Sequence, residues 1–386
     1  MRGGGKLKNP EDVKVISLDE IAESIRRNEE KHPELKEVKF RESKGWEDIE
    51  GLSKLIEKVW SNYYKGESRI VFSPEYINYE FGEDLQVISA ENEDNLLGVS
   101  IGKEIEVIVK GKPSKGFVAT GLSVKEDWKK KGIGKAIHFN QQKHKEENNY
   151  NFISYWFDLR KTSQGSSAKL FPDTMFNYKI PYYFKVVDLK GAKENENLSG
   201  LKAIGAELSY LLNSRGKEKR RTIIQPNRPN DAESVCDIIS EYSKDKEVHF
   251  VFKPEDLRRK IQYSIENPNE AVHCTFESIE KTVGAAGGFK HQNESKDKGI
   301  LYLDYLFFNP KEGNPEKGLK EIEQYAKEIG CYGILVPESS TNLSKFSLIR
   351  RGYFPLGSQL LGIEPLNEET KDEIKYAGKD VFFPLK

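Results

Sequence analysis

One order of elements is written twice in this chain, and that doubling constrains the fold more than any figure of composition. In the first half LKEVKF, Leu35 to Phe40, has strand character, and WEDIEGLSKLIEKVW, Trp46 to Trp60, repeats apolar residues at helical spacing. LQVISAENEDNLLGVSIG follows as two strands around a polar turn, then the strand GFVATGLSV, a helix from Gly132 and the strand FISYWF. From Arg221 the order returns. RTIIQPNRPNDAESVCDIISEY opens as strand then helix, AVHCTFESIEKTVGAAGGFK is the hairpin, LYLDYLFF the next strand, PEKGLKEIEQYAKEIG the helix and GILVPE the last strand. Leu319, Ile322, Ala326 and Ile329 form the apolar stripe of that second helix, and Gly330 closes it as a C-cap. The reading is an α/β protein of two similar modules, each an α+β mixed sheet, in tandem. Residues 1–34 form an added helical extension, with Ser17 to Glu20 (SLDE) as its capping box. The modules span 35–189 and 221–386, and the stretch 190–220 connects them: polar and turn-rich at first, then a helical-looking LKAIGAELSYLLNS over 201–214, then basic.

Length and charge exclude several functions. The 386 residues suffice for two ordinary domains, and 61 Lys and Arg against 62 Asp and Glu leave a net charge of −1, so any anion site must be local. Cys236, Cys274 and Cys331 lie too far apart for zinc ligation and are too few for a secreted disulfide framework, so a cytoplasmic setting is expected. No metal site is expected: His138 and His144, six apart, do not share a helix face, and His249 and His273 sit in apolar stretches. No run approaches the ~20 apolar residues of a membrane span.

One loop carries chemistry. In GLSVKEDWKKKGIGKAI, Gly121 to Ile137, a strand ends at Val124, a charged turn follows and a helix begins near Gly132. The first amides of a helix have no partner within it, and the aligned peptide dipoles put partial positive charge there. Glycines at 132 and 134 open the backbone to a pyrophosphate, and Lys129, Lys130, Lys131 and Lys135 add positive charge. VKEDWKKKGIGKAI resembles the acyl-CoA loop of the GNAT superfamily of N-acetyltransferases, (Arg/Gln)-x-x-Gly-x-(Gly/Ala) at a helix start, with Lys129 in the Arg/Gln position. The resemblance implies that the amides of Lys129 to Lys135, Ile133 included, bind the CoA pyrophosphate. It also implies that the strand Gly116 to Val124 splays from its neighbour to admit the pantetheine, with a backbone N–H among Leu122, Ser123 and Val124 on the acyl carbonyl. The fold it implies is two tandem GNAT-like acyltransferase domains.

The second half keeps the element order and loses the loop. NPKEGNPEKGLKEI has Pro310, Pro315, Glu312 and Glu316 where amide donors are needed, and Leu348 stands where many members of the superfamily carry a tyrosine acid. It is read as a degenerate repeat that closes the acceptor pocket. In the first half Tyr178 leads the candidates for the general acid, ahead of Tyr182 and Tyr183. Asp158 and Glu75 are the candidates for the base. The function implied is transfer of an acyl group, acetyl from acetyl-CoA above all, to a small-molecule or peptide amine, without membrane or nucleic-acid partners. A non-catalytic acyl-CoA sensor is the alternative, and a tRNA-dependent aminoacyl transferase a third, encouraged only by RGKEKRR at 215–221.

Overall fold

A computed structural model describes residues 13–15, 17–64, 69–93, 95–158, 176–195, 207, 224–278, 281–292, 298–309, 315–365, 367–375 and 381–382. Helix α1 (Leu18–Lys31) leads, closed at its start by the expected capping box, in which Ser17 N–H donates to Glu20 Oε2 and Glu20 N–H to Ser17 Oγ. The first module contains β1 (Lys39–Lys44), α2 (Ile49–Tyr64), α3 (Pro74–Glu80), β2 (Gln86–Asn92), β3 (Asn95–Val109), β4 (Lys112–Val124), α4 (Ile133–Glu147), β5 (Phe152–Asp158) and β6 (Phe176–Val186), followed by α5 (Leu189–Asn195). The second contains β7 (Ile224–Pro226), α6 (Ala232–Ser243), β8 (Val248–Val251), α7 (Pro254–Glu266), β9 (Ala271–Ser278), β10 (Lys281–His291) and β11 (Gly299–Phe308). It continues through α8 (Pro315–Glu328), β12 (Cys331–Pro337), α9 (Lys345–Arg350), β13 (Phe354–Pro365), α10 (Glu368–Ile374) and β14 (Val381–Phe382).

Some early boundaries differ from the sequence reading: the helix expected over 46–60 runs from Ile49 to Tyr64. Leu35 lies in a 3₁₀ turn, Pro33–Glu37, and the strand begins at Lys39, because Pro33 fixes φ in the helical range and starts a turn. The connecting helix anticipated over 201–214 and the basic run 215–221 fall outside the described residues, Glu207 excepted.

Both halves share one mixed sheet, in the order β1-β2-β3-β4-β5-β13-β6-β12-β11-β10-β9-β7, with β8 pairing β3 and β14. The modules exchange their last strands. β13, from the end of the second half, pairs with β5, while β6, from the first, pairs with β12; β13 and β6 then pair with each other and join the half-sheets. Side chains on alternating positions face opposite ways. On one face lie two cores, the first around Val118, Phe152, Tyr178, Leu361 and Leu257, the second around Ile56, Tyr76, Val99, Tyr182 and Phe289. The other face is covered by α1 and α4 over the first half, and by α8 over the second, where Leu319, Ile322, Ala326 and Ile329 are all buried as their stripe predicts.

A buried charge network ties the halves together on the first face. Lys260 Nζ bonds Glu80 Oε2 at 2.5 Å and Asp304 Oδ2 at 2.8 Å, and Lys103 Nζ lies 3.2 Å from Glu80 Oε1. Tyr79 donates to Asp304 at 3.1 Å, and its oxygen lies 2.8 Å from His273 Nε2, whose Nδ1 is 2.9 Å from Tyr305 Oη. Asp304, which interrupts an apolar strand in the sequence, is explained by this network: it is an interior counter-ion between α3 and α7. Such groups are tolerated inside because each has its partner.

Candidate acyl-CoA site

The charged loop folds as the sequence implies. A single 3₁₀ turn, Glu126–Trp128, follows β4, and Gly132 caps α4 with φ +80°, a conformation that a β-carbon disfavours. Ala136 N–H is the first to find its partner in the helix, bonding Gly132 O at 2.9 Å, so the amides of Ile133, Gly134 and Lys135 point out of the helix start. The lysines are arranged locally. Lys129 pairs with Glu126 at 2.5 Å, Lys131 Nζ sits 4.3 Å above the Trp128 ring, and Lys130 is exposed with φ +64°.

The extension, placed outside the modules by sequence, braces this loop. Asn28, on α1 and buried, donates from Nδ2 to Gly132 O at 3.0 Å. A β-carbon on Gly132 would come within 2.8 Å of the His32 ring and 2.9 Å of the Asn28 amide. No motif announces Asn28 in the sequence; only the packing of α1 on α4 brings it there.

The strand before the loop splays. β4 and β5 pair from Gly116↔Phe152 through Ala119↔Tyr155 and then stop, leaving the β5-facing edge of β4 from Thr120 to Val124 without a strand partner among the described residues. On that edge segment Ser123 is buried and its Oγ makes no hydrogen bond among the described residues, while Leu122 and Val124 pack toward α4.

The second half has the same opening, and its own chain fills it. β11 and β12 pair through Tyr302↔Leu335 and then part. Thr341 bridges Leu306, and the Asn342 side chain takes both backbone groups of Phe308, accepting its N–H at 3.1 Å and donating to its carbonyl at 2.6 Å. A strand-like ligand would have to displace this segment. α8 begins at Pro315, which has no amide hydrogen, and Leu348 is fully buried in the core under α8. Pro310 and Glu312 lie outside the described residues.

The acid–base candidates are dispersed. Tyr178 is buried on β6, donates its hydroxyl to Ile374 O at 2.6 Å, and has its pKa raised by burial and then by Glu247. Asp158 ends β5 opposite Gln359 of β13; its side chain lies outside the described residues. Tyr182 is buried in the core beside α2 and α3, and Tyr183 points to the opposite face, under α8. Glu75 is exposed, and the buried carboxylate of that helix is Glu80, in the charge network.

His138, His144, His249, His273 and His291 are interior groups. Burial and Lys145 lower the pKa of His138 to about 3, with its Nδ1 3.2 Å from Tyr155 Oη and Nε2 3.6 Å from Glu364 Oε2. His144 meets Glu42 at 2.5 Å and Gln86 at 2.6 Å. No helix among the described residues is long and apolar enough to cross a membrane.

A continuous mixed sheet, a glycine-capped helix start and a splayed strand before it make a fold of the GNAT type, in a form built from the whole chain. N-myristoyltransferase of Saccharomyces cerevisiae with bound myristoyl-CoA superposes with a TM-score of 0.67 at 12% identity, over 100% of this chain and 90% of that one. A further structure of that enzyme, with myristoyl-CoA and inhibitors, gives 0.64 at 14%, over 99% and 91%. A GCN5-related N-acetyltransferase from Anabaena variabilis gives 0.51 at 9%, over 86% and 74%. No protein-family model and no curated protein matches the sequence. At these identities the likeness is one of fold, shared with N-acyltransferases, of which the yeast enzyme binds an acyl-CoA.

Proposed function

We propose that the protein is an acyl-CoA-dependent N-acyltransferase, with acetyl-CoA as donor and a small-molecule or peptide amine as acceptor, working in the cytoplasm. The observation that carries this reading is the conjunction, on one strand-loop-helix, of the open β4 edge beyond Ala119 and the outward amides after Gly132. Bound acyl-CoA would supply an activated thioester carbonyl. The amides of Ile133, Gly134 and Lys135 would hold its pyrophosphate, with Lys129, Lys130 and Lys131 supplying local positive charge. The backbone of Leu122, Ser123 and Val124 would bind the pantetheine and polarise the carbonyl.

In this reading Asp158, at the end of β5, is the base that leaves the amine neutral. Tyr178 is the acid, and to deliver its proton it must release Ile374 O. That commitment favours the second reading, an acyl-CoA sensor without turnover. Incubation with labelled acetyl-CoA or myristoyl-CoA and pooled amines separates them. Acylated amine formed by the wild type and lost in Gly132→Asp supports the enzyme; binding without product from either donor supports the sensor, and no binding of either donor refutes both. Tyr178→Phe should lower kcat at unchanged acetyl-CoA affinity if its hydroxyl is the acid.

A further inference from the structure

Trp156 and Gln359 stand where the splay opens, and they come from different halves. Trp156 is the first residue of β5 beyond the last β4–β5 pair, Ala119↔Tyr155. Its side chain packs against both cores of the first face, at the place where they meet. Opposite it on β13 is Leu361, whose side chain lies in the first of these cores, and Gln359 is two residues along β13 on the same face, opposite Asp158 on one side and Ile180 on the other. Residues related in this way are diagonal neighbours on a sheet, ~7–8 Å apart.

Their polar atoms have opposite character. Trp156 Nε1 can only donate and Gln359 Oε1 can only accept, and both are buried without a hydrogen-bond partner among the described residues. Either vacates hydration on folding for no bond in return, which is uncommon for interior groups and marks a place where a polar ligand can complete the set.

We propose that Trp156 and Gln359 position the acceptor amine: Gln359 Oε1 accepts an N–H of the acceptor, and Trp156 Nε1 donates to an oxygen held close to that nitrogen. The inference rests on the N-acyltransferase reading and adds to it the two residues that orient the acceptor, one of them delivered by strand exchange from the second half. The acceptor class it selects is an amine carrying a carbonyl on the adjacent carbon, over a plain alkylamine. Neither residue takes part in bond making; both are positioning residues.

The test uses the full chain with its four tryptophans labelled at the indole nitrogen. Trp156→Phe identifies the Trp156 indole signal, which removal of the indole N–H deletes. With the protein saturated in CoA, alaninamide is titrated, and isopropylamine, which replaces the carboxamide by a methyl, is the control. Alaninamide should move the Trp156 signal and isopropylamine should bind more weakly. Gln359→Leu should weaken alaninamide about tenfold, the worth of one hydrogen bond. Gln359→Met serves the same purpose if the leucine variant does not fold. An unmoved Trp156 signal, equal binding of the two amines, or equal affinity in the Gln359 variants overturns the proposal. Calorimetry with acetyl-CoA on the same samples keeps the two failures apart: wild type that does not bind acetyl-CoA sinks the functional reading, whereas normal binding with a silent Trp156 sinks this inference alone.

Discussion

Acidification should destabilise this protein from about pH 6 downward, before ordinary carboxylates titrate, and three buried histidines set the steepness. His138 and His291 have pKa values lowered to about 3, His138 by burial and then Lys145, and His291 by burial. His273 is lowered well below the usual histidine range by burial and by Lys260. A folded-state pKa depressed below the unfolded value of ~6.5 means that the unfolded chain binds the proton first. The stability these groups contribute is present above pH ~6.5 and is lost as pH falls toward 3. Once the unfolded chain is mostly protonated, below pH ~6, three such groups give a slope of about 4 kcal/mol per pH unit. Glu323 works the other way. Burial raises its pKa against the attraction of Lys185 and Arg351, so the folded state holds its proton first, offsetting about 1.4 kcal/mol per unit between that raised value and ~4.5. The net slope, about 3 kcal/mol per unit, would consume much of a typical stability of ~5–15 kcal/mol between pH 6 and 4. Urea midpoints at half-unit steps from pH 7 to 4.5, read at constant m, measure it directly. A slope under about 1.4 kcal/mol per unit between pH 6 and 5, less than one proton, would refute the claim that these histidines are held neutral in the interior. His138→Gln should flatten the slope by one proton.

Four further outcomes follow from particular contacts. Gly132→Asp should abolish measurable acetyl-CoA binding by calorimetry, since it sets a carboxylate at the helix start and strains a left-handed residue by ~1–2 kcal/mol; an unchanged affinity would sink the loop assignment. Lys260→Met leaves Glu80 and Asp304 buried without that cation and should cost about 3–5 kcal/mol in urea unfolding; a loss under ~1 kcal/mol would show that the network is solvated. Acetyl-CoA should bind with one site per chain, because Asn342 occupies the second opening; two sites would reject that view. A chain ending near Gly200 should not fold, since both strand partners of β6 belong to the second half, and a soluble truncation with full acetyl-CoA affinity would contradict the exchange.

Much of the site's local form was legible in the residues themselves. The capping box at Ser17, the helix start at Gly132, the stripe from Leu319 to Ile329 and the left-handed Gly330 each depend on neighbours within one or two turns, so side-chain type and spacing suffice. Two similar halves were legible for the same reason, as the order of elements survives in the pattern of apolar residues. The partners across the sheet were not. Nothing in YKIPYYF or LGSQLLG distinguishes a strand that pairs within its own repeat from one that crosses into the other, because backbone hydrogen bonds carry no sequence label. Tertiary structure alone decided that β13 lies between β5 and β6, that Lys260 meets Glu80 from 180 residues away, that Asn28 reaches the loop at Gly132, and that Trp156 and Gln359 share one face. These choices were made by the burial of two cores at once, a condition that no local segment can express.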